Sequence, residues 1–448
     1  MTQTIPFMTN DVRAIRGAML NFSADPFVAE DPAHCWRYES DAIVVMSAGK
    51  ITAVGPATQL LPTLGDVPLS TYPHGLILPG FIDAHVHYAQ IPMVAAYGQQ
   101  LIDWLNRYTF VTEQRFTDAE FARAVAKVFL REQWRHGVTS SVVYGTVYPQ
   151  SVDVLFEEAS KHNMRIMAGK VCMDRNAPTP LLDTAQSAYD DSKQLIERWH
   201  GQGRSEYVIT PRFAPTSSPA QLHLLGQLAA EYPDVLIQSH VSENRGEVAW
   251  VSELFADLPD YTAVYEHYGL LRARSIYGHG IHLSERELRA FHDRNAAIAH
   301  CPTSNFFLGS GSFNVLHAKS KHRPVHVALA TDLGAGTSFS MLQTMNEAYK
   351  AAQVCGTPYP APYYFYLATL GAAKALGLAN KIGRIDVGME ADLVVLNTHA
   401  TPYLDYRLSF ADSLEELLFV LMMLGDDRTV AETYVAGVPL KGSEVQAA

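Results

Sequence analysis

From Phe81 to Ala330 the sequence carries eight short apolar runs, most of them followed by an amphipathic stretch. Phe81–His87, Val138–Val143, Arg165–Val171, Tyr207–Phe213, Val235–Val241, Ser275–Tyr277, Ala296–Ala299 and Val325–Ala330 have the length and β-branched content of strands. Between them, Asp118–His136, a segment near Val152–Asn163, Ala185–His200, Ser218–Tyr232, Arg245–Phe255 and Ser284–Arg294 place apolar residues at helical spacing. Gly137 is a stop signal after the first of these helices, and Ser218-Pro219 opens the fourth. Strand–helix units in this number predict an α/β chain closed into a (β/α)8 barrel, with its chemistry at the C-terminal ends of the strands.

The flanks have a different texture. Val12–Leu20, Ala42–Met46 and Ile51–Val54 read as strands before the barrel, and Gly388–Leu396 and Thr429–Val435 after it. The simplest arrangement pairs the two ends into one small β domain, a β-sandwich of residues 1–79 and 384–448, with the barrel of residues 80–383 inserted between them. A length of 448 residues accommodates both. The formal charge of −12 argues against a nucleic-acid or anionic-membrane surface. The apolar run Leu417–Leu424 is too short to cross a bilayer and fits a buried helix. Met1–Pro6 lacks the pattern of a signal peptide. Cys35, Cys172, Cys301 and Cys355 have no paired spacing and read as reduced thiols, so a cytoplasmic protein is expected.

The strand ends hold the candidate chemistry. Alternation along Phe81–His87 puts His85 and His87 on one face of the strand, where two imidazoles can share a transition-metal ion. Later strands end in His240 and in His279, and the last one runs into Asp332. Four imidazoles and a carboxylate directed at one centre suit a borderline metal such as zinc, with a position left for water. Glu243 follows three residues after His240 and lies outside the ligand set, where it could carry a proton from water to substrate. Asp332 could bind the metal, orient the water, or do both.

Other candidates are weaker. His282 lies beyond its strand end, and His300 could wall a pocket without being a ligand. Lys170 ends a strand, as a carboxylated lysine of a two-metal site would, but a simple ion pair explains it as well. Gly309-Ser-Gly311 and Gly334-Ala-Gly336 lack the Gly-Lys-Ser/Thr of a phosphate loop.

Several stretches resemble the amidohydrolase superfamily: Pro79–Gln90 (PGFIDAHVHYAQ), Leu101–Phe110 (LIDWLNRYTF), Pro211–Ser217 (PRFAPTS), Ser239–Arg245 (SHVSENR), His300–Asn305 (HCPTSN), Thr331–Thr337 (TDLGAGT) and Met341–Glu347 (MLQTMNE). The HxxE at His240–Glu243 is similar to that of the one-metal purine and pyrimidine deaminase branch, and the chain most resembles its guanine-specific members. The resemblance implies a distorted (β/α)8 barrel, one zinc ion per subunit, a homodimer, and hydrolytic deamination of guanine to xanthine and ammonia by metal-bound hydroxide. Carried onto this sequence, it makes His85, His87, His240, His279 and Asp332 the metal-site residues, and Glu243 and Asp332 the catalytic pair. Gln90, Arg212 and Phe213 become the purine contacts, consistent with the fixed donors of a guanidinium and the paired donor and acceptor of a primary amide. Iron instead of zinc, another deaminase substrate of the same branch (cytosine, an adenosine-like base, a triazine), and an inactive scaffold remain the alternatives. An ion pair at the barrel mouth is the bland reading of Arg212.

Overall fold

The computed structural model describes residues 12–97 and 100–442. The N-terminal residues read for a signal peptide lie outside them. Among the described residues the strands form two sheets. One has seven strands in the order Val438–Pro439, Val430–Val435, Leu393–Asn397, Leu69–Pro79, Arg13–Phe22, Trp36–Ser47 and Lys50–Pro56. All neighbours in it are antiparallel except Arg13–Phe22 and Leu69–Pro79, which run parallel. The three C-terminal strands thus continue the four N-terminal ones in a single sheet, joined where Leu393–Asn397 pairs with Leu69–Pro79, around a core that includes Ile15, Met19, Val44, Ile77, Leu393 and Val395.

The other sheet is the barrel wall. Phe81–His87, Val138–Tyr144, Arg165–Gly169, Glu206–Pro211, Leu236–Val241, Ser275–His279, Ala297–His300 and His326–Leu329 follow one another in parallel. The ring closes at its C-terminal rim, where the backbone N–H of Asp332 donates to the His85 carbonyl at 2.9 Å. The Asp83 carboxylate accepts from the Thr331 N–H at 3.0 Å beside it. At the opposite rim the first strand turns elsewhere: Ile82 N–H donates to the carbonyl of Ala368, between the helices Ala361–Leu367 and Leu370–Ala375, at 2.9 Å, so that junction sits in the seam. This open lower seam is the distortion of the barrel.

The connecting helices obey their sequence signals. Ala119–Arg135 is capped by the Asp118 carboxylate, which accepts from the N–H groups of Glu120 and Phe121. Gly137 ends the turn that follows, with φ at +82°. Leu414–Leu424 is a helix, with Leu418, Val420, Leu421 and Met422 buried.

A buried ion network joins the two sheets at the N-terminal ends of the barrel strands. Arg204 pairs with Asp392 and, at 2.7 Å, with Glu390; Arg165 pairs with Glu390 at 2.5 Å and with Glu206 at 2.9 Å. Asp392 also accepts from the Ala436 N–H at 2.8 Å. Removing one partner from a buried pair leaves the other charge uncompensated. Asp392→Ala is therefore expected to lower unfolding stability by about 3 kcal/mol, read by urea denaturation; stability equal to the parent would dismiss the network as a clamp.

Candidate active site

The first strand is buried along its whole length, and its alternation carries His85 and His87 to the rim with ring centroids 5.2 Å apart. Gly278 is what lets His85 sit there, because a Cβ at that position would lie 2.6 Å from the imidazole Cε1. Nε2 of His85 lies 3.3 Å and Nε2 of His87 3.4 Å from Oδ1 of Asp332, and the His87 and His240 Nε2 atoms are 3.2 Å apart. His240 points its Nδ1 at the Arg212 carbonyl at 2.6 Å, so the Nδ1–H donates and Nε2 keeps its lone pair.

These spacings fit a bound cation. Two ligands at about 2.05 Å from one tetrahedral ion are about 3.3 Å apart, the separation found here. His85 Nε2 is buried without a hydrogen-bond partner, which is costly unless something else occupies the lone pair. Burial lowers the pKa of His85, His87 and His240, keeping them neutral, the form that ligates. Burial alone would raise Asp332, but His85 and the other imidazoles around it bring the carboxyl down to about 2, so it is ionised. His85, His87, His240 and Asp332 can therefore hold a metal.

His279 stands further out. Its Nε2 lies 3.5 Å from Glu243 Oε2 and 3.8 Å from Asp332 Oδ2, and its Nδ1–H donates to Asn305 Oδ1 at 2.9 Å. Burial opposes its charged form, but Glu243 and Asp332 outweigh that and raise its pKa. His279 and Asp332 have φ of +75° and +47°, and Ser242, just before Glu243, has +50°. Left-handed backbone at non-glycine residues is costly and concentrates at functional sites.

Glu243 is set by the helix it precedes. Its backbone N–H donates to Glu247 Oε2 at 2.9 Å, and Asn244 caps Arg245–Leu254 in a capping box with the same Glu247. Burial raises the Glu243 carboxyl to about 7; a divalent cation bound nearby would oppose that shift. A group in this range can take up and release a proton near neutral pH.

A cavity opens onto these residues. His87, His240, Glu243, His279 and Asp332 form one end of it, Gln90, Arg212 and Phe213 lie along it, and Leu101, Trp104, Leu105, Leu308 and Ala335 supply apolar walls. Arg212 is both cavity wall and ion pair, its Nη1 lying 3.0 and 2.9 Å from the two Glu113 oxygens. The described lining does not include His282 or His300. His282 bonds the Ser310 carbonyl at 3.1 Å, and His300 is buried 5.4 Å from Phe313. Lys170 is an ion pair, with Nζ 2.7 Å from both Asp183 oxygens.

The sequence reading missed Glu113, Asn305 and the apolar wall of Leu101, Trp104 and Leu105. Asn305 sat in a quoted motif without a role. Glu113 had no signal, because its partner is 99 residues away.

A metal-capable ring at the C-terminal rim of such a barrel defines a metal-dependent hydrolase, and residues 76–440 match the amidohydrolase family. The chain belongs to that family. It is 47% identical over 427 residues to the guanine deaminase of Escherichia coli (strain K12), covering 95% of this chain and 97% of the relative. The structure superposes on E. coli guanine deaminase with a TM-score of 0.93, over 96% of this chain and 99% of that one. On the guanine deaminase of C. acetobutylicum with bound guanine in its active site, the TM-score is 0.86 at 28% identity, over 96% and 100% of the two chains.

Proposed function

We propose that this protein is a zinc-dependent guanine deaminase, converting guanine and water to xanthine and ammonia. The observation that carries the reading is the ring of His85, His87, His240, His279 and Asp332 beside Glu243, at a cavity whose wall includes Gln90 and Arg212. Its likeness to the E. coli enzyme over nearly the whole chain supports the same substrate. The barrel, residues 80–383, carries the chemistry, and residues 1–79 and 384–448 brace it.

His85, His87, His240, His279 and Asp332 would hold one divalent ion per subunit, whose Lewis acidity would bring a water pKa from above 15 to about 7. Arg212 and Gln90 hold the base so that C2 faces the water, and Phe213 covers it. Glu243 takes a proton from the attacking water and delivers it to ring nitrogen N3, leaving a tetrahedral C2. Asp332 accepts the remaining hydroxyl proton, and transfer of a proton to the exocyclic nitrogen releases ammonia as the C2 carbonyl forms. His279, 3.5 Å from Glu243, steadies the carboxylate between these transfers.

The test is ammonia release by the zinc-loaded protein from guanine, cytosine, adenine and S-adenosylhomocysteine. Guanine is expected to be the substrate, and ammonia from cytosine but not guanine would reject the assignment. We also propose a homodimer in the cytoplasm. Exposed Tyr403, Tyr406 and Phe410 give an apolar surface of the kind a subunit contact covers. Among the described residues no helix is long and apolar enough to cross a membrane. Light scattering on the same preparation is expected to give twice the chain mass, and a single-chain mass would dismiss the dimer.

A further inference from the structure

We propose that Glu113 is a positioning residue that fixes which way the base-reading side chains face, and so selects a lactam edge over an amino edge. This rests on the functional reading above. Glu113 is fully buried on the short helix Phe110–Glu113, outside the metal ring and absent from the cavity lining. It nevertheless touches two of the side chains assigned to the substrate. Arg212 Nη1 donates to both of its oxygens at 3.0 and 2.9 Å, and Gln90 Nε2 donates to Oε1 at 3.4 Å.

A carboxylate only accepts, so the Gln90 amide must turn its NH2 toward Glu113 and its carbonyl oxygen away. On its other side Gln90 packs closely against Gly334, where a Cβ would lie 2.0 Å from Oε1, so the amide has little room to move. Arg212 is oriented by the same carboxylate. With Nη1 committed to Glu113, its Nε and Nη2 are the donors that remain for a ligand. The pair thus offers one acceptor, Gln90 Oε1, beside donors from Arg212. That pattern complements a ring N–H next to a carbonyl, as at N1 and O6 of guanine. A 6-amino purine presents a bare N1 and an NH2 there, so both contacts are mismatched. Buried polar groups left unpaired in this way discriminate strongly.

The experiment compares wild-type and Glu113→Gln zinc-loaded enzymes on guanine and 2,6-diaminopurine, which share the C2 amino leaving group and differ in the substituent at position 6 and the N1 proton that goes with it. The wild type is expected to favour guanine in kcat/KM by about 10³-fold or more. In the variant a neutral amide at 113 can accept or donate, so Gln90 can turn over. The guanine KM is expected to rise about tenfold and the preference to fall about tenfold or more, while kcat changes by less than about threefold. A purely structural role would not separate KM from kcat or alter selectivity. A variant with unchanged guanine KM and unchanged preference would overturn the proposal. So would a wild type that takes 2,6-diaminopurine as readily as guanine, a result that stands even if the variant fails to fold. A wild type releasing no ammonia from guanine sinks the functional reading first; guanine turnover with unaltered selectivity in the variant sinks this one alone.

Discussion

Glu243→Gln is expected to lower kcat for guanine by about 10³-fold or more while leaving zinc content and KM nearly unchanged. The amide keeps the volume of the carboxylate and can keep the contact from Ser310 Oγ, 3.4 Å from Oε1. It can neither take a proton from water nor return one to N3 or the leaving nitrogen. Glu243 lies outside the ligand spacing, approaching the ring through His279 at 3.5 Å, so the metal has no reason to leave. Steady-state ammonia release and metal analysis on the same preparation separate the possibilities. Loss of zinc together with activity would move Glu243 into the ligand set, and turnover at the parent rate would remove it from the mechanism.

The strand ends were legible because each of the barrel strands is a compact apolar run, so the residue where it stops can be named. His85, His240, His279 and Asp332 all lie where periodicity put them. The backbone at two of them could not be read: φ is +75° at His279 and +47° at Asp332, a left-handed region that residues other than glycine seldom adopt. Leu69–Pro79 was missed as one long strand: its first half, Leu-Ser-Thr-Tyr-Pro-His-Gly, has no alternation, and its partners are Arg13–Phe22 and Leu393–Asn397, distant in sequence. The motif Leu101–Phe110, which supplies Leu101, Trp104 and Leu105 to the cavity wall, carries no secondary-structure expectation from sequence. The segment passes through α, π and 3₁₀ turns in succession, so no single hydrophobic period describes it. Local rules reached the groups that strands present, and failed where distant side chains such as Glu113 and Arg212 define each other.

Removing the metal is expected to abolish guanine turnover and to destabilise the fold, with both effects reversed by adding zinc. The stability change follows from linkage: an ion at about a thousand times its dissociation constant adds about 4 kcal/mol to the folded state. The site shows why the folded chain alone would bind it. His85, His87 and His240 are buried and neutral, His240 is turned by the Arg212 carbonyl, and Asp332 is tethered by its backbone to His85. In the unfolded chain residues 85, 240 and 332 have no such arrangement, so most of the ion's binding energy is released only on folding. Without the ion, the ionised Asp332 stays buried and His85 Nε2 keeps no hydrogen-bond partner. Calorimetry before and after chelation, with zinc returned in a third scan, measures the coupling directly. A chelated protein that melts with the parent, or still releases ammonia from guanine, would mean that these imidazoles hold no metal and that their spacing has another cause.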